Sequence, residues 1–304
     1  MNNSDSHSAG VSELSPANIP AVPKTASPKA AALKARLGRI LAASGVKSAD
    51  RDDGPSHFTL GVDRIDAALR GNAGIDGLPC AALHEMHAAD KSDRTSAAAL
   101  ALLLAQRCRA LQPAHGPILW VSDNGEARRQ GRLYPPGLAE LGVEPSSLVH
   151  VDAPNSIAAL RAAADGVRSP AMGAVIIELS GKKPRGLDLT ATRRLSLSAQ
   201  KSGVLCLLLR TGSDAENPLP TAAFSRWQVG PAPSVALAGN APGYPAFDIS
   251  LLRHRSGLYG LSARLEWNRD DQVFREQQEQ DTPQSGTGPV LAAVRTDHPG
   301  TRAA

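Results

Sequence analysis

Three stretches of this chain are apolar from end to end over a strand's length, and they constrain the fold more than any other feature. Pro117-Ile-Leu-Trp-Val-Ser122, Ala174-Val-Ile-Ile-Glu-Leu179 and Val204-Leu-Cys-Leu-Leu-Leu209 offer almost no polar face to water. Strands of this kind must be covered on both sides, which is the condition of a parallel sheet between helices. Segments with helical spacing alternate with them, at residues 97–111, 156–167 and 189–201. Residues 81–86 and 148–151 read as further strands, and 138–141 as the end of a helix. Phe58 to Leu69 gives a short strand, a turn and a helical turn. Strand and helix in alternation predict right-handed crossovers and an α/β fold with a parallel sheet flanked by helices. After Pro220 the pattern becomes strict alternation, at residues 223–229, 247–252 and 258–267. These read as antiparallel C-terminal strands extending the sheet, one pair forming a hairpin.

The domain organisation follows from the same pass. Residues 1–28 are rich in Ser, Ala, Pro and Asn and predict a disordered tail. Residues 29–46 form a basic amphipathic helix, with Leu33, Leu37, Ile40 and Leu41 at helical spacing and Lys34, Arg36 and Arg39 between them. Residues 56–222 are the α/β core, 223–270 the antiparallel extension, and 271–304 a polar C-terminal tail. No apolar run approaches the roughly 20 residues of a membrane helix, and the N-terminus has no signal-peptide pattern. Three cysteines, Cys80, Cys108 and Cys206, are an odd set without metal-ligand spacing, which suits reduced thiols and a cytoplasmic location. The net charge of +4 and an aromatic content of 3% favour weak or indirect contact with nucleic acid over strong direct binding. Two basic groups stand out as candidate partner or DNA contacts: Lys34, Arg36 and Arg39 on the early helix, and Arg128, Arg129 and Arg132 after the second core strand.

Between Glu85 and Ser96 lies the outline of a phosphate-binding loop without its phosphate-binding parts. Such a loop needs two glycines to curl backbone N–H groups around phosphate oxygens. It also needs a lysine for the terminal phosphates and a hydroxyl for Mg²⁺. The glycine positions hold Ala88 and Asp93, the lysine position holds Arg94, and Thr95 alone fits. Asp93 brings a carboxylate to a place where a nucleotide carries its own negative charge. A simpler reading is that Ser92 or Asp93 caps the following helix, taking the N–H groups a phosphate would otherwise bind. His84 and His87 straddle Glu85 but lack the further ligands of a zinc site.

The order of elements resembles the RecA-like ATPase core. The Gly61-Val-Asp-Arg-Ile-Asp66 entry segment, Gly77-Leu78-Pro79 and Leu83-His84-Glu85 follow that family's entry pattern in turn. More narrowly, the chain resembles the ImuA family, on Ala82–Glu85, Thr190-Ala-Thr-Arg-Arg-Leu-Ser-Leu197, Leu207-Leu-Leu-Arg210, and Arg226-Trp227 followed by Pro231-Ala-Pro-Ser234. The resemblance to RecA places the water-activating glutamate at Asn124, the γ-phosphate-sensing glutamine at Arg210, and the Mg²⁺ carboxylate at Glu178 or Ser180. An amide cannot take a proton from water, so general-base chemistry at Asn124 is lost. The combined replacements imply no ATP or Mg²⁺ cofactor, no metal and no catalytic residue. Resemblance to ImuA implies an accessory factor in damage-induced, error-prone translesion synthesis. The partners it implies are an ImuB-like Y-family polymerase homologue, an error-prone C-family DNA polymerase and, further off, RecA. Two other readings stay open here: a divergent RecA-like ATPase using Arg94, Thr95 and Glu178, and a SulA-like division inhibitor.

Overall fold

A computed structural model describes residues 57–70, 74–112, 116–123, 131–213 and 218–277. The expected helix at 29–46, with Lys34, Arg36 and Arg39, lies outside the described residues, as do Asn124, Arg128 and Arg129 and the termini at 1–28 and 278–304. Strands β1 (His57–Phe58) and β2 (Leu78–Pro79) pair as a small ribbon around helix α1 (Asp63–Leu69). The core then runs β3 (Leu83–Ala88), α2 (Arg94–Ala110), β4 (Ile118–Asp123), α3 (Pro135–Glu140), β5 (Leu148–Ala153), α4 (Ser156–Val167), β6 (Ala174–Ser180), α5 (Leu189–Ser202) and β7 (Leu205–Thr211). Strands β8 (Ser225–Pro231), β9 (Ala246–His254), β10 (Ser262–Asn268) and β11 (Val273–Glu276) complete a nine-stranded sheet in the order β11-β10-β9-β8-β3-β7-β6-β4-β5.

The fully apolar strands are central for the reason their sequences gave. Every residue of β7 is buried, and β6 is buried from Ala174 to Leu179. Helix α2 covers one face, where Trp120, Ile176, Leu207, Leu209 and Met86 join one core. Its own residues are buried nearly all round, because the β1 entry segment closes over its outer side. Arg107 there donates from Nε to Thr59 O at 2.8 Å and from Nη1 to Gln272 O at 2.7 Å. Helices α4 and α5 pack side by side on the other face. Gly166 allows α4 to lie close to the sheet, since a Cβ there would meet Leu119 Cδ2 at 2.3 Å. Both helices have side-chain caps: Asn155 accepts from Ala158 N–H at 3.0 Å, and Asp188 from Ala191 N–H at 2.7 Å. Gly203, at φ 74°, ends α5 in the left-handed conformation.

The Gly61–Asp66 entry segment has a physical basis. The buried Asp66 carboxylate accepts N–H groups from Leu60, Gly61 and Val62 at 2.7, 2.9 and 3.0 Å, folding the chain back onto α1. Gly61 has φ 101°, a backbone conformation that L side chains rarely adopt.

Two expectations change. The 223–270 extension is not antiparallel throughout, because its first strand, β8, runs parallel to β3 with Glu85 opposite Arg226. After β7 the chain returns to the starting end of β3, where Phe224 N–H donates to Leu83 O at 2.7 Å. Reversal begins only at the β8–β9 pair. Within the segment read as a C-terminal tail, Val273–Glu276 instead forms the edge strand β11. Phe274 fixes it there: its ring packs 4.9 Å from Trp267, and its N–H donates to Leu60 O at 3.0 Å. One apolar side chain in a polar stretch is a weak sequence signal, but here it fills the last place in an aromatic cluster.

Candidate functional site

The C-terminal end of β3 turns into α2 at the position where a phosphate loop would sit. Ala88 closes the strand with its side chain in the core. In the turn that follows, three N–H groups are taken by the chain itself. Ala89 N–H donates to Val229 O at 2.8 Å, Asp93 N–H to Asp90 O at 3.1 Å, and Asp90 N–H to the Asp93 carboxylate at 3.1 Å. The carboxylate of Asp93 therefore reaches back to the 3₁₀ turn Lys91–Asp93. It occupies the N-cap position of α2 without bonding that helix's N–H groups, so the expected helix cap at Ser92 or Asp93 is a turn cap instead.

Arg94, the first residue of α2, points under the helix to Glu178 on β6. Its Nε makes a close charge-assisted contact with Glu178 Oε1, and Trp120 Nε1 donates to Oε2 at 3.3 Å. Of the two positions offered for a Mg²⁺ carboxylate, Glu178 carries the carboxylate and sets it against Arg94 of α2. Its side chain is 2% exposed and that of Arg94 16%. The residue at the lysine position and the carboxylate across from it therefore neutralise each other. Removing either one would leave a buried charge without its partner.

Beside this pair lies a cavity of about 290 Å³, lined by Thr95, Trp120, Ser122, Arg132, Leu138 and His150 among others. Ser122 Oγ is 3.0 Å from His150 Nε2 and 3.3 Å from Asp152 Oδ1. Asp152 meets the same nitrogen of His150, at 3.6 Å, and leaves Nδ1 unoriented. This is not the geometry of a serine nucleophile with its base. Arg132, expected as a partner or DNA contact, has Nη2 3.2 Å from Asp152 Oδ2 at the cavity's edge. Among the described residues no group of three or more His, Cys, Asp or Glu side chains could hold a metal ion.

Arg210 does not join this site. The β6–β7 register sets Glu178 beside Leu209 and Leu179 beside Arg210, so alternation turns the guanidinium to the opposite face of the sheet. It is 1% exposed there, with Nη1 3.8 Å from Glu85 Oε1 and Nη2 donating to Gly181 O and Lys182 O at 3.1 and 3.2 Å. Glu85 Oε2 accepts from Arg226 Nε at 3.1 Å and Nη2 at 3.0 Å. His87 Nε2 stands 3.1 Å from Glu85 Oε1, and His87 Nδ1 is 2.7 Å from Ser213 Oγ. Burial pushes the Glu85 carboxyl up, but His87 and Arg226 outweigh it and hold it below its usual range. Burial likewise pulls the Arg210 guanidinium below its ordinary value.

His84 is also buried, with Nδ1 2.7 Å from Ser225 Oγ and Nε2 2.9 Å from Pro79 O. Burial drives its pKa down to about 4. The sequence foretold neither ion cluster. A trace of the second one exists in it, as Glu85, Arg210 and Arg226 are charged residues in otherwise apolar strands that come side by side once the strand order is known.

A sheet ordered β8-β3-β7-β6-β4, a strand-turn-helix connection at the end of β3, and a carboxylate facing it from β6 define a RecA-like α/β protein. The crystal structure of the RadB recombinase aligns with it at TM-score 0.46 and 14% identity, over 73% of this chain and 100% of that one. No family model matches the chain. Protein ImuA of Caulobacter vibrioides, in strains NA1000 and ATCC 19089 alike, is 31% identical over 216 residues, 67% of this chain and 80% of that protein. The chain belongs to the ImuA family.

Proposed function

We propose that this protein is a non-catalytic accessory factor in damage-induced, error-prone translesion DNA synthesis. It acts through protein contacts with a Y-family-like polymerase homologue of the ImuB type and an error-prone C-family DNA polymerase, with RecA as a further contact. The observation that carries the non-catalytic part is the Arg94–Glu178 pair. A cation committed to a buried carboxylate is not free for a terminal phosphate, and the same carboxylate is not free for Mg²⁺. Family membership supports the pathway, and a cytoplasmic location is part of the proposal. No helix among the described residues is long and apolar enough to cross a membrane.

Deleting the gene should lower damage-induced mutation frequency, and affinity capture from damaged cells should recover the ImuB-like polymerase. An unchanged frequency would overturn the pathway. Recovery of a tubulin-like division protein without polymerases would favour the division-inhibitor reading. Saturable Mg²⁺-dependent ATP turnover by the purified protein, lost in Thr95→Ala, would overturn the non-catalytic assignment.

A further inference from the structure

The β6–α5 connection and helix α5 carry a concentrated, one-sided charge. From Gly181 to Lys201 stand Lys183, Arg185, Arg193, Arg194 and Lys201, all exposed, against the single carboxylate of Asp188. That carboxylate is occupied, because it caps α5 by accepting Ala191 N–H at 2.7 Å. Pairing of Arg193 or Arg194 with a nearby carboxylate is the ordinary expectation, yet neither makes an ion pair among the described residues. The helix buries Thr192, Leu195, Ser196 and Ala199. Its opposite stripe presents Leu189, Arg193 and Leu197 at i, i+4 and i+8, with Arg194 alongside. Leu189 is 51% exposed and Leu197 47%.

The connection is held in place from below. Arg210 grips the carbonyls of Gly181 and Lys182, and Ser156 Oγ on α4 donates to Arg185 O at 2.9 Å. The cations are thus mounted on a positioned segment beside the helix.

We infer that the outer face of α5 with the Lys182–Arg185 turn is a docking surface for an acidic helical segment of a partner protein, carrying apolar residues two turns apart. Charge complementarity selects an anionic partner, and the leucines select between kinds of anion. A nucleic-acid backbone would satisfy the cations and leave both leucines in water. An acidic helix laid against α5 covers them, taking their exposed halves out of water. The exposed tyrosines among the described residues, Tyr134 and Tyr259, lie on α3's leading turn and the β9–β10 connection, so α5 offers no ring on which bases would stack. The inference goes beyond the proposed function, since it names a surface and a partner chemistry whatever pathway the partner serves.

The test uses the full chain and a labelled synthetic helix of about 20 residues, rich in Glu, with leucines eight positions apart. A peptide of the same composition with its leucines off one face, and single-stranded oligothymidylate, serve as comparison probes. Fluorescence anisotropy should show saturable binding of the first peptide, weakened roughly tenfold or more by moving its leucines. Arg193→Glu with Arg194→Glu, and separately Leu189→Ser with Leu197→Ser, should each weaken it by a similar factor. All four positions are exposed, so thermal melts should match the unaltered protein. Absence of peptide binding, or binding indifferent to both variants, overturns the inference. So does oligothymidylate binding that is lost in the arginine variant and kept in the leucine variant, which marks a phosphate surface. None of these readouts depends on mutation frequency, so failure here and failure of the proposed function are distinguishable.

Discussion

Glu178 has two partners beneath α2, the Arg94 guanidinium and Trp120 Nε1. Arg94→Ala strips the buried carboxylate of its countercharge and should cost about 3 kcal/mol, at the lower end for breaking a buried pair because the arginine keeps some contact with water. The double variant Arg94→Met, Glu178→Gln removes both charges and keeps the volume, and should lie within about 1.5 kcal/mol of the unaltered protein. Urea denaturation of the three proteins checks this, and a mild Arg94→Ala with a damaging double variant contradicts it. His84 gives a prediction in pH. Its folded pKa is about 4 against 6.5 for the free side chain, so the unfolded chain binds more protons throughout that interval. Stability is whole above about pH 6.5 and falls by about 3 kcal/mol on descending to pH 4. Burial lowers His150 and His254 also, and acid loss at Glu85 has the same sign. Melting curves of His84→Gln across pH 4–7 should show a shallower slope than those of the unaltered protein. An identical slope would remove His84 from the explanation.

At the level of elements, the most informative is the β7 end with the turn it holds. Arg210→Gln retains Arg226 on Glu85 but shortens the reach to Gly181 and Lys182. Hydrogen exchange should quicken through residues 181–188 while β6 and β7 stay protected. Unchanged exchange in that turn would show that it is held elsewhere. The strands and helices of the core were legible because each apolar run had to be covered on both faces and the segments between them kept helical spacing. Three things were not legible. The parallel direction of β8 depends on a return to the far end of the sheet, which alternation within a strand does not encode. β11 rests on one phenylalanine reaching a distant aromatic cluster. The place of Arg210 depends on register, and a one-residue step moves a side chain to the other face. That step separates it from Glu178, although in sequence both belong to the same motif set. The loss of the glycines and of the lysine could be read directly, whereas the pairing of Arg94 with Glu178 needed β3 and β6 to be placed in one sheet.

Across the whole molecule, the two faces of the sheet divide the structure. On the α2 side, Arg94 and Glu178 pair beneath the helix, and Ala89, Asp90 and Asp93 give their N–H groups to the chain itself. On the α4–α5 side, a buried ionic cluster secures the base of an exposed basic turn. All three cysteines are buried and none forms a disulfide, and burial pushes the Cys206 thiol up, away from the thiolate that redox or nucleophilic chemistry needs. Putting glycine at Asp93 and lysine at Arg94 together should not create an ATPase, because Ala88 is packed in the core and the resemblance to RecA assigns the water-activating position to an amide, Asn124. Phosphate release at the level of the unaltered protein is the expected result. Whether this RecA-like fold works in mutagenesis without a nucleotide cycle is decided at Thr95. Thr95 is the position at which the sequence still matches a phosphate-loop motif, and it is exposed, so Thr95→Ala should leave the fold undisturbed. The measurement is damage-induced mutation frequency in cells whose sole copy carries Thr95→Ala. The expected frequency is that of the unaltered gene, and a fall to the level of the deletion strain would show that the protein needs a nucleotide.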